Sequence, residues 1–186
     1  MSNAREQILQ TTCALLEKQG YHGTGLNEIV KESGAPKGSL YHYFPEGKEQ
    51  ITSEAVLQSG KMTAERIRLE LGTSSSASKA VYDFVLKVAD NVELSGFAAG
   101  SPLTAVAMET ATQSERINLA CREAYGMLTS AFNEKLLACG FTKAKSDELA
   151  TFIVASIEGG IILSRTHHTA DPLRLVAKQL KVVLSL

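Results

Sequence analysis

The chain reads as an all-α protein of about nine helices, and three observations lead there. Alternation of β-branched and polar residues over strand length is missing. Apolar residues recur at helical spacing, and the four prolines, Pro36, Pro45, Pro102 and Pro172, all fall at segment boundaries. Ile8, Thr12, Leu15 and Leu16 share one face of a first helix, which Gly20 ends. Leu26, Ile29 and Val30 mark a short second helix, and Leu40 with Phe44 a short third. A long helix follows over 48–71. Gly72 to Ser78 is a loop by composition, with Ser76 or Ser78 capping the next helix. Ser95 to Pro102 is a second loop, in which Ser101 caps a helix that Pro102 opens. Ile117, Ala120, Ala124, Leu128 and Ala131 line a helix near 114–139 that Gly140 closes. Leu149, Phe152, Ile153, Ser156, Ile157, Gly160 and Ile161 line another, and Leu173, Val176, Ala177, Leu180 and Leu184 the last.

With 186 residues, 44% of them hydrophobic, the chain can bury a proper core. No uninterrupted apolar run approaches the roughly 18 residues of a membrane span. The start, Met1-Ser2-Asn3-Ala4-Arg5-Glu6, has no charged segment followed by an apolar one, so no secretory signal is read. Ser2-Asn3-Ala4 also matches a common cloning remnant and carries no weight. Three cysteines, Cys13, Cys121 and Cys139, form no close pair. That argues against a disulfide framework and a thiolate metal site, and for buried thiols in a reducing cytoplasm. Net charge is −1. The first 50 residues hold five Lys/Arg against six acids, so a basic-patch argument for nucleic acid fails and any such case rests on where a few donors sit.

The segment from Thr24 to Phe44 places them. Gly25 serves as N-cap of the second helix, with Glu28 three residues on to meet free backbone N–H groups. Ser33-Gly34-Ala35 is a tight turn in which Gly34 takes positive φ, and Pro36 opens the third helix. Two short helices joined by a glycine turn make the helix-turn-helix pattern. With Leu40 and Phe44 inward, Lys37, Ser39, Tyr41 and His42 face outward, and Gly38 permits close backbone approach. Donors and an aromatic ring at the start of such a helix suit phosphate and base edges. Solvated Lys37 and His42 with Tyr41 in a core is the alternative, and spacing alone leaves the two even; Tyr43 reads as core.

The run Gly34-Ala35-Pro36-Lys37-Gly38-Ser39-Leu40-Tyr41-His42-Tyr43-Phe44 resembles the recognition helix of the TetR family, usually Gly-Val-Ser-Lys-Gly-Thr-Leu-Tyr-His-Tyr-Phe. Upstream, Gly20-Tyr21-His22-Gly23-Thr24-Gly25-Leu26 is similar to that family's Gly-[Tyr/Phe]-x-x-[Thr/Ser]-[Thr/Ser]-[Val/Leu]. The resemblance implies a ligand-released repressor in which Lys37, Gly38, Tyr41 and His42 meet double-stranded operator DNA while Thr24 and Lys48 hold phosphates. Two departures stand out. Pro36 replaces a usual Ser/Thr, and Phe44-Pro45-Glu46-Gly47-Lys48 carries one residue more than the common Phe-x-x-Lys. Ile157-Glu158-Gly159-Gly160-Ile161-Ile162-Leu163-Ser164-Arg165 and Asp171-Pro172-Leu173 resemble the LmrA/YxaF-like branch, which implies an aromatic, drug-like effector and a drug-resistance or detoxification gene.

The expected organisation is a three-helix DNA-binding domain over 1–50 and an effector-binding and dimerisation domain over 51–186, with the helix 48–71 as lever between them. Phe97 and Met108 bracket the glycine-rich loop, and with Tyr125 and Phe152 they are the candidate effector residues. A homodimer follows because one short recognition helix reads few bases and paired half-sites supply specificity. Ile157, Gly160, Ile161, Val176 and Leu180 are its candidate interface, since two glycines inside a helix cost about 1 kcal/mol each unless close packing offsets them. An enzyme is the weaker reading. His167 and His168 are adjacent and cannot share a helix face, and nothing places a Cys–His pair, so no catalytic residue, metal or cofactor is expected. A ligand-binding protein with a decayed DNA helix is disfavoured by intact Lys37 and Tyr41.

Overall fold

The computed structural model describes residues 4–185; Met1, Ser2 and Asn3, of which Ser2 and Asn3 belong to the stretch that matches a cloning remnant, and Leu186 lie outside the described residues. The described residues form nine α-helices and no strand: α1 (Ala4–Gly23), α2 (Leu26–Ser33), α3 (Lys37–Tyr43), α4 (Lys48–Leu71), α5 (Ala77–Leu94), α6 (Pro102–Thr110), α7 (Glu115–Ala138), α8 (Lys143–His167) and α9 (Asp171–Val183). The chain divides into two compact units, and the division does not run near residue 50. The first holds the chain up to Lys61 together with Ser101–Tyr125; the second holds Met62–Gly100 and the chain from Gly126 onward. α6, widely separated in sequence from α1, packs on it in the first unit.

In the first unit, α1 also packs on α2 and α3. Ile8, Leu16, Ile29, Leu40, Phe44 and Ile117, which the periodicity marks, are all but fully buried there together with Ile51 and Leu103. α4 and α7 meet at two small residues: a Cβ on Gly60 would stand 2.6 Å from Cβ of Ala124, so only glycine allows that approach. α1 is broken at Gly20 (φ 72, ψ −174), a conformation open essentially to glycine alone. The first helical stretch therefore ends at Gly20, and a short helical turn runs on to Gly23 across the bend.

In the second unit, α5, α8 and α9 pack pairwise. Val81, Val85, Phe132, Leu136, Ile153, Leu173 and Leu180 fill the core, and Phe84 meets Phe132 edge-on at 5.7 Å. Ser76 caps α5 by accepting the Lys79 N–H, as its position before the helix implies. Ser101 stands at the N-cap of α6, and Gly140 ends the α7 segment at φ 89. Among the described residues α8 alone has the length and apolarity of a membrane span, although no uninterrupted apolar run produces it. One of its faces is buried against α5 and α9, which accounts for part of that composition.

Candidate nucleic-acid interface

α2 and α3 are short because their ends are chemically marked. Gly34 closes α2 in the left-handed region (φ 63), and the Ser33 hydroxyl accepts the Ala35 N–H across the turn. Pro36 stands one residue before the helix as its cap (φ −55, ψ 137) and not inside the first turn, so α3 begins at Lys37. Glu28 does not cap α2. Its carboxylate accepts the Gln19 side-chain amide at 2.7 Å instead, tying α2 to α1.

Leu40 and Phe44 are fully buried, which turns Lys37, Gly38, Tyr41 and His42 outward on one arc of α3. Tyr41 is 49% exposed, its ring open to solvent on that arc. Ser39 is half-buried at the edge of this arc. Tyr43 is half-buried too, edge-on to His42 (5.0 Å) and Phe44 (6.5 Å), so it only partly joins the core.

The two phosphate-holding candidates fare differently. Thr24 is 1% exposed, its hydroxyl donates to Gly20 O at 2.7 Å and its N–H to Tyr21 O. Both donors are spent on the bend of α1, so Thr24 holds the backbone and does not reach a phosphate. Lys48 opens α4 after a turn in which Gly47 takes φ 74, the conformation that absorbs the extra residue in this loop. Its Nζ lies 4.2 Å from the centroid of the Tyr21 ring. Burial against that ring lowers the Lys48 amine from its ordinary value, while the Glu109 carboxylate opposes the shift.

The four effector candidates are divided between the two units. Met108 is 75% exposed on α6, because Leu103, Val106 and Thr110 take the buried face of that helix. Tyr125 is half-buried with its hydroxyl 3.2 Å from that of Thr104; both belong to the first unit. Phe152 is 50% exposed, since Leu149, Ile153 and Ile157 occupy the inward face of α8. Phe97 lines an open groove of about 380 Å³ with Ile162, Arg165 and Thr166 in the second unit. Phe97 has a positive φ of 65 and meets the His168 ring edge-on at 5.5 Å, and its carbonyl accepts the Arg165 Nε–H. Arg165 carried no signal in the sequence beyond its place in the α8 motif.

Three of the five interface candidates are internal. Ile157 is 8% and Leu180 1% exposed, and a Cβ on Gly160 would stand 2.9 Å from Leu173 Cδ2 and 3.3 Å from Val176 Cγ2. Gly160 thus serves the packing of α8 on α9 within one chain. Ile161 and Val176 are half-buried. Gly159 has nothing within 4 Å of its Cβ position. It belongs to an outward stripe of α8 with Phe152, Ile162 and Leu163, while α9 exposes Leu175 and Val182 about two turns apart on one face.

Two short helices, a glycine turn and an outward basic and aromatic face on the second define a helix-turn-helix DNA-binding protein. Residues 8–55 match the model of the bacterial regulatory proteins of the tetR family, and residues 77–179 that of the LmrA/YxaF-like transcriptional regulator C-terminal domain. The HTH-type transcriptional regulator YxaF of Bacillus subtilis is 42% identical over 98% of this chain and 95% of its own. The HTH-type transcriptional regulator LmrA of the same organism is 39% identical over 92% and 91%. The crystal structure of reduced Escherichia coli NemR superposes with a TM-score of 0.86 over 98% of both chains at 20% identity, a likeness of fold. The chain belongs to the TetR family, in its LmrA/YxaF-like branch, and is a DNA-binding transcriptional regulator and not an enzyme. Regulators of this family bind operator DNA and act as dimers.

Proposed function

We propose that the chain is a cytoplasmic repressor, released from a palindromic operator by a small apolar or aromatic effector, that controls a drug-efflux or detoxification gene. The observation that carries this reading is the outward arc of α3, where Lys37, Gly38, Tyr41 and His42 are exposed while Leu40 and Phe44 are buried. These residues, with Ser39 at the edge and Lys48 on the phosphates, meet the DNA. Repression draws support from the HTH-type transcriptional repressor NemR of Escherichia coli, 45% identical over 42 residues. The effector and efflux parts rest on the LmrA/YxaF-like likeness of the C-terminal part. Among the effector candidates Phe97 has the best support, through the groove it shares with Arg165. The dimer face is the outward stripe of Phe152, Gly159, Ile162 and Leu163 on α8 with Leu175 and Val182 on α9, an exposed apolar surface of the kind that marks an interface.

The experiment is selection of bound duplexes from a random pool, followed by fluorescence anisotropy with the selected duplex and a Lys37→Ala/Tyr41→Ala variant. A two-fold-symmetric consensus, bound by the wild type and lost by the folded variant, supports the reading. Equal binding by the variant refutes it. Aromatic compounds added to the complex then test release.

A further inference from the structure

We propose that Glu109 is a positioning residue for DNA binding: from α6 its carboxylate latches the bent end of α1 in the conformation that sets the helix-turn-helix. The inference rests on the reading of α3 as the DNA-facing helix. Glu109 lies 87 residues from His22 in sequence, yet its Oε2 accepts the His22 backbone N–H at 2.8 Å. The bend at Gly20 brings its own backbone against the same carboxylate: a Cβ there would collide with Glu109, whose Cδ would be 2.8 Å away. Gly20 therefore has two reasons to be glycine, its positive φ and the room that Glu109 occupies.

What the bend positions is the machinery already described. Gly20 O accepts the Thr24 hydroxyl, Tyr21 O accepts the Thr24 N–H, and Thr24 is followed by the Gly25 cap of α2. The Tyr21 ring is also the platform for Lys48, on which the Glu109 charge acts. One carboxylate thus stands against both the entry to the helix-turn-helix and the lysine proposed to hold phosphate.

The test compares wild type, Glu109→Gln and Glu109→Ala on the duplex selected with the wild type. A glutamine side-chain oxygen still accepts the His22 N–H, and a methyl cannot. Loss of one such exposed, charge-assisted bond corresponds to roughly 5- to 30-fold weaker binding for Glu109→Ala, with Glu109→Gln within about 2-fold of wild type. Circular dichroism and unfolding temperature establish that both variants are folded. Wild-type affinity in Glu109→Ala, or an equal loss in both variants, overturns the proposal. Amide hydrogen exchange by NMR gives a readout that needs no DNA: the His22 N–H is protected in wild type and Glu109→Gln and exchanges fast in Glu109→Ala. An unprotected His22 in the wild type overturns the latch. If the wild type selects no duplex, the reading of α3 fails, while the exchange result still decides the latch.

Discussion

Gly20→Ala is the substitution with the most to say about how the DNA-binding head is held. At φ 72 and ψ −174 an alanine occupies a region nearly reserved for glycine, which costs about 1–3 kcal/mol. Its methyl also displaces the Glu109 carboxylate. That end of a flexible side chain moves away readily, but in moving it gives up the His22 N–H, worth about 1–2 kcal/mol for an exposed bond to a charged group. The sum is about 3 kcal/mol, or a fall in unfolding temperature of roughly 6–12 °C for a chain of this size. Calorimetry and urea unfolding of Gly20→Ala, Glu109→Ala and the double variant separate the two parts. In the Glu109→Ala background the methyl has nothing to displace, so Gly20→Ala then costs only its backbone strain. A total below about 1 kcal/mol, or the same cost in both backgrounds, refutes the reasoning.

Further outcomes follow from the same geometry. Lys37→Ala weakens binding to all duplexes alike and flattens the slope of log K against log salt by about 0.9, one phosphate contact; a slope unchanged in titrations between low and moderate salt removes Lys37 from the backbone. Gly159→Ala stabilises an isolated chain by about 1 kcal/mol, since its Cβ meets nothing, yet weakens a dimer that packs on that stripe; analytical ultracentrifugation at falling concentration measures this, and an unchanged dimer constant excludes Gly159 from the interface. The Arg68 guanidinium donates twice to Glu134 at 2.8 Å and holds that carboxyl below its ordinary value. Because the folded value is depressed, the contribution is full above the unfolded value of about 4.3 and fades as pH falls through the native one; exposure keeps it under about 1 kcal/mol. The gap between wild type and Arg68→Gln in urea midpoint is therefore present at pH 7 and closes below about pH 4. Finally, burial pushes the Cys121 thiol up to about 11, and burial with Glu17 and Glu6 nearby pushes Cys13 up to about 12. Both resist a thiol reagent at pH 8 in the folded protein and react after denaturation, as mass spectrometry of the modified peptides shows; rapid native labelling refutes their protection by burial.

The sequence by itself determined what local chemistry determines. Helical periodicity, Gly34 in the turn, Ser76 before α5 and Pro102 at the start of α6 are properties of a few neighbouring residues, and the structure places all of them as read. The outward arc of α3 was legible for the same reason, since Leu40 and Phe44, four apart, leave the other residues no choice of side. Tertiary structure decided whatever depends on which distant element arrives. Thr24 looked like a free hydroxyl until Gly20 O claimed it, and Glu28 looked like a cap until Gln19 reached it. Gly160 looked like a dimer contact, but Leu173 and Val176 of α9 already fill the space above it, leaving the open position to Gly159. Met108 and Phe152 are apolar residues whose periodicity names a helix but not which of its faces finds a partner. Nothing local marks Glu109 either. Its role exists only because α6 packs on α1, and a contact across 87 residues is a property of the fold and not of the segment.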